Sequence, residues 1–231
     1  MISRMTLMVT AAIMLNACNA YRTQPESEVL YTRQELTKKG FVLAPIVDLD
    51  AQGQAGPSDL LTYDAILANT LRETWKHTTV FSAAEIAALV EPRPVEAWRV
   101  KLSKEDQKAV SQSTRSVLSG LTNLGKTYPP QILLPSILSN LVSCGRKEAL
   151  ATYLNPKAKG MRMYCQRTLK MRFRIMSTEA SDLLWNGIIY ATQETVGPNG
   201  ATADDAPIEA PLTQSLIRES FHNFAKQFAD K

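Results

Sequence analysis

Between Met161 and Ile175 the chain alternates. Met161, Met163, Cys165, Leu169, Met171, Phe173 and Ile175 are apolar, and Arg162, Tyr164, Gln166, Thr168, Lys170, Arg172 and Arg174 between them are polar or basic. An apolar–polar period of two is what a half-buried strand requires, and Arg167 is the one misfit. The polar cluster Ser177 to Asp182 supplies a turn. The chain then returns through Leu183-Leu184-Trp185-Asn186-Gly187-Ile188-Ile189-Tyr190, rich in strand-favouring residues. Residues 161–192 therefore predict a hairpin of two long strands to which the other elements must be fitted. The hairpin names no reaction.

Upstream, Phe41 to Asp48 reads as a strand, with Pro45 marking an edge or a bulge because it donates nothing to a ladder. Ser58-Asp59 can cap a helix to about Lys76, striped by Leu60, Tyr63, Leu67, Leu71 and Trp75. Thr78 to Phe81 is a short strand. Ser82-Ala83-Ala84-Glu85 is a capping-box pattern opening a helix to about Val90, and Pro92 and Pro94 follow as breakers. A further helix is expected from Ser103, with a stripe from Val110 to Leu124. Ile137 to Cys144 fits helix and strand equally. Leu212 to Phe228 closes the chain as a helix. The expected architecture is α+β (or α/β): a mixed four- to five-stranded sheet, helices packed mainly on one face, and a helical insertion at about 91–160. One domain is expected over 40–231.

The first residues read as a targeting segment. Arg4 is followed by an uncharged apolar run from Met5 to Leu15, too short to span a membrane as a helix. Leu15-Asn16-Ala17-Cys18 follows. It resembles the lipobox of bacterial lipoproteins, and the resemblance implies a signal peptide over 1–17 and acylation, palmitate included, at Cys18. Asn19, in place of Asp, implies the outer membrane. The alternative is ordinary cleavage near Ala17 or Ala20. Residues 18–39 are polar and read as a tether.

With Cys18 given to lipid, Cys144 and Cys165 remain, an even pair in an oxidising compartment. They are a possible disulfide, or two buried thiols. The net charge of +4 becomes +3 without residues 1–17, too mild to argue for nucleic acid. Gly120 to Thr127 fits the phosphate-loop spacing, but a helical stripe precedes it and Pro129-Pro130 follows. Gly125 serves better as a helix C-cap, so no nucleotide is expected. His77 and His222 are the only histidines, and neither has a metal-spaced partner. No catalytic residues, metal or cofactor are expected, and the chain reads as a non-enzyme.

Arg167 to Ile175 followed by Leu183-Leu184-Trp185-Asn186-Gly187 resembles the last hairpin of outer-membrane lipoproteins with the fold of the TolB amino-terminal domain, among them LpoB, PelC and, more distantly, CsgG. The order of strand 41–48, helix 58–76, strand near Thr79, helix 82–90 and closing helix 212–228 agrees. The resemblance implies action by binding envelope proteins or by forming rings. The expected role is a binding or assembly component of a secretion or polymer-export machine, anchored in the outer membrane and facing the periplasm. The alternatives are a regulatory activator of a peptidoglycan synthase and, from another class, a periplasmic enzyme that no motif supports. Lys170, Arg172 and Arg174 would line the other sheet face, where they meet anionic lipid or an acidic partner, or are simply solvated.

Overall fold

The computed structural model describes residues 20–25, 33–53, 55–89, 95–104, 114, 116–117, 119, 128–148, 161–178, 182–197 and 208–228, with the backbone alone at 20–25, 33–34, 104, 148 and 161. In chain order the elements are β1 (Ala20–Pro25), α1 (Arg33–Lys39), β2 (Phe41–Leu43), β3 (Val47–Asp48), α2 (Pro57–Thr74), β4 (Val80–Phe81), α3 (Ala83–Leu89), α4 (Val95–Lys104), β5 (Gln131–Glu148), β6 (Met161–Ser177), β7 (Leu183–Val196) and α5 (Thr213–Phe228). The seven strands form one sheet in the order β1-β7-β6-β5-β2-β4, with β3 also on β5. β2 runs parallel to β4 and β5, and β3 parallel to β5. The pairs β1–β7, β7–β6 and β6–β5 are antiparallel. The fold is α+β.

The alternation in β6 decides which face is core. Cys165, Leu169, Met171, Phe173 and Ile175 are buried, and the intervening residues from Tyr164 to Arg174 are half-buried. On the buried face α1, α2 and α5 close the main core. The stripe Leu60, Tyr63, Leu67, Leu71 and Trp75 meets Leu216, Ile217, Phe221, Phe224 and Phe228 over the sheet. Phe224 stacks on Phe173 at 4.3 Å, and the Trp75 indole N–H donates to Ala225 O at 2.9 Å. A second, smaller core lies on the opposite face, where Ile86 of α3 and Trp98 and Leu102 of α4 pack on Val42, Ile132, Leu134 and Met176. Of the helices given above, three thus sit on one face and two on the other, where Val117 also packs.

The sheet is larger than expected, for two local reasons. Pro45 breaks the 41–48 segment into β2 and β3. The break is closed by side chains: Ile46 N–H donates to Asp64 Oδ1 at 2.7 Å, and Arg99 Nε donates to Ile46 O at 2.8 Å. Residues 18–39 do not form a tether throughout. Ala20–Pro25 adds an edge strand to β7, and α1 buries Leu36. Their polar composition hides this because an edge strand is held by backbone hydrogen bonds, which any side chain permits.

The helical insertion at 91–160 is corrected over 131–148, which is a strand paired with β6 along its whole length. Ser103 lies inside α4 rather than opening a helix; of the stripe expected from Val110 to Leu124, residues 114, 116, 117 and 119 are helical and the rest lie outside the described residues. α2 starts at Pro57, and Asp59 accepts from Gly56 N–H at 3.1 Å at its head. At α3 the Ser82 and Glu85 bonds form as the sequence indicates: Glu85 N–H donates to Ser82 Oγ, and Glu85 Oε2 accepts from Ser82 N–H.

Candidate functional site

Lys170, Arg172 and Arg174 lie on the sheet face away from α1, α2 and α5, half-buried, in register with Tyr190, Ile188 and Asn186 of β7. On their other side stand Ser139, Ser136 and Leu134 of β5. Among the described residues, α3 and α4 cover only the end of this face that carries Leu134 and Met176. Lys170 Nζ sits over the Tyr190 ring, 5.4 Å from its centre. Burial, and then the charge of Arg172, lower the pKa of the Arg174 guanidinium from its ordinary value. Two like charges two residues apart on one face make the local potential positive. The sequence pattern brings these three together, and the structure keeps them together.

Arg167, the misfit of the alternation, points to the core side but lies where that side opens. Its Nε donates to Pro211 O at 2.6 Å and its Nη1 to Asn140 Oδ1 at 3.0 Å, so it ties β5 and the segment before α5 to β6.

Cys144 and Cys165 face each other across β5 and β6 and are joined by a disulfide, with an S–S distance of 2.11 Å. The bridge lies on a three-stranded arm, the ends of β5, β6 and β7 beyond the helices, where Leu141 and Val142 are exposed. Cys18 and the phosphate-loop-like stretch 120–127 fall outside the described residues.

Sequence reasoning missed one buried ion pair. Arg99 is 5% exposed and donates from Nη2 to Asp64 Oδ2 at 2.5 Å; Glu96 also accepts from its guanidinium. Burial pushes Asp64 up to about 6, opposed by the Ile46 hydrogen bond and Arg99. The pair joins α2, α4 and the β2–β3 break, a structural duty without exposure to substrate. An Arg inside an otherwise apolar stripe was its one signal.

His77 and His222 are exposed, and His222 lines an open groove between α2 and α5 with Glu73, Arg218 and Lys226. Among the described residues no three His, Cys, Asp or Glu side chains group as metal ligands. No described helix is long and apolar enough to cross a membrane.

Neither a protein-family model nor a curated protein matches this sequence. Among solved structures the chain is similar to the PelC dodecamer from Paraburkholderia phytofirmans, with a TM-score of 0.42 and 9% identity over 92% of this chain and 100% of that one. It is also similar to the lipoprotein GNA1162 from Neisseria meningitidis, with a TM-score of 0.39 and 10% identity over 81% of this chain and 96% of that one. At these TM-scores neither likeness assigns the chain to a family.

Proposed function

We propose that this chain is a non-enzymatic lipoprotein of the outer membrane, facing the periplasm, and that it acts as a binding or assembly component of a cell-envelope secretion or polymer-export machine. The observation that carries the reading is the Cys144–Cys165 disulfide. Such bridges persist in oxidising compartments, which the periplasm is and the cytosol is not. With those two cysteines bridged, Cys18 is the one left of the chain's three, and it stands where the lipobox resemblance requires an acylated residue.

The binding role draws support from the face of Lys170, Arg172 and Arg174, a positive surface on a rigid sheet rather than a cleft with converging acid–base groups. Its partners are envelope proteins with acidic surfaces and further copies of the same chain in a ring. Neither nucleotide nor nucleic acid belongs to the role.

The test is the mass of the detergent-extracted, acylated protein by light scattering after size exclusion. A discrete high-order oligomer supports the assembly role. A monomer overturns self-assembly and leaves a tethered regulator, such as an activator of a peptidoglycan synthase.

A further inference from the structure

β1 begins two residues after Cys18. It runs antiparallel to β7 with Ala20 opposite Thr192, so its start points toward the free end of the β5–β6–β7 arm. Two extended residues span about 7 Å, which is too short for a leash. Level with Ala20 across the sheet stand Thr192, Thr168 and Leu141. From that level the arm continues to Val196 in β7, about 13 Å further, and to Lys147 in β5, about 20 Å further. With the strands steep to the bilayer, an acyl chain on Cys18 enters it only when the arm tip is at its headgroup layer.

The tip has the chemistry of that layer. Arg146 and Lys147 are exposed, Arg162 and Tyr164 are half-buried, and Val196 is an exposed apolar residue. Lys147 Nζ lies 5.4 Å from the centre of the Tyr164 ring and also pairs with Glu194. The described acids at this end are Glu194, which pairs with Lys147, Glu148 and Glu209, the last beside Ile208 where Ile208 meets Gly197. By sequence, residues 149–160, between β5 and β6, carry Lys157 and Lys159 and no acid, and residues 198–207, after β7, carry Asp204 and Asp205. Basic residues beside tyrosine are what membrane–water interfaces select, and anionic lipid attracts such clusters.

We infer that the arm tip, through Arg146, Lys147 and Arg162, is a contact surface for anionic phospholipid headgroups, and that β1 fixes the protein in one orientation on the membrane. The inference rests on the lipoprotein reading above. In that orientation Asp182, just before β7, lies at the end of the sheet far from the bilayer.

The experiment uses the full-length acylated protein in vesicles of phosphatidylethanolamine and phosphatidylglycerol with a nitroxide in the headgroup region. A tryptophan is placed at the tip by Val196→Trp or, as an independent site, Ser143→Trp, and at the far end by Asp182→Trp. The native Trp75, Trp98 and Trp185 are buried and give a common background. The expected result is loss of fluorescence for both tip variants and none for Asp182→Trp. Adding Arg146→Glu, Lys147→Glu and Arg162→Glu is expected to weaken the quenching, and quenching that is unchanged overturns the role of these charges. Tip probes quenched no more than the far-end probe, in protein whose mass carries the acyl group, overturn the orientation. Protein lacking the acyl mass on Cys18 overturns the lipoprotein reading, and the inference falls with it, so the two failures are told apart.

Discussion

The indole of Trp185 lies against the α-carbon of Gly187, two residues further along the same face of β7. A Cβ on Gly187 would meet Trp185 Cη2 at 2.4 Å. The ring is 1% exposed and is held between Phe224 and Phe228, with ring centres at 5.7 and 5.1 Å. Gly187→Ala must therefore displace a fully packed side chain, at a cost of about 2 kcal/mol. Urea denaturation measures it, and an unchanged midpoint would show that the ring has room to move.

The Asp64–Arg99 pair gives stability a pH dependence. Burial raises Asp64 to about 6 in the folded protein, whereas an unfolded carboxyl titrates near 3.9. Between these values the folded state binds more proton, so the contribution of Asp64 falls as pH rises from about 4 to about 6. The stability of the native protein minus that of Asp64→Asn should decrease through this window. A difference independent of pH would contradict the assignment.

The disulfide closes a segment with a sequence separation of 21. Loop-closure entropy then makes Cys144→Ser with Cys165→Ser cost about 3 kcal/mol. Thermal unfolding of oxidised native protein against the double variant checks this, and equal midpoints would remove the bridge from the account of stability.

How far the sequence could be read followed from where its signals lay. β6 was legible because one of its faces is core and the other is open. α5 was legible because Leu216, Ile217, Phe221, Phe224, Ala225 and Phe228 are all buried on one side. β5 was not. Its first half is buried on both faces, with Ile132, Leu133 and Leu134 all inside, and a register shift between Ile137 and Ser139 reverses the alternation before the exposed second half. Neither helix nor strand periodicity survives that combination. At the site, the basic triplet was visible as alternation, but the Asp64–Arg99 pair joins residues 35 apart whose meeting depends on how two helices pack.

The basic face should be an interface. A photo-crosslinking residue at Lys170 is expected to capture an envelope protein in cells, and Lys170→Glu with Arg172→Glu and Arg174→Glu to abolish capture from a neighbouring position. Capture unaffected by the triple reversal would return these residues to a solvated role.

The central claim is tested most directly by the mass of the mature amino terminus. Intact and peptide mass spectrometry of protein from the membrane fraction should find Cys18 as the first residue, carrying diacylglyceryl and palmitoyl mass, with [³H]palmitate entering the native protein and not Cys18→Ala. An unmodified Cys18, or a mature chain beginning after Ala20, would contradict the account.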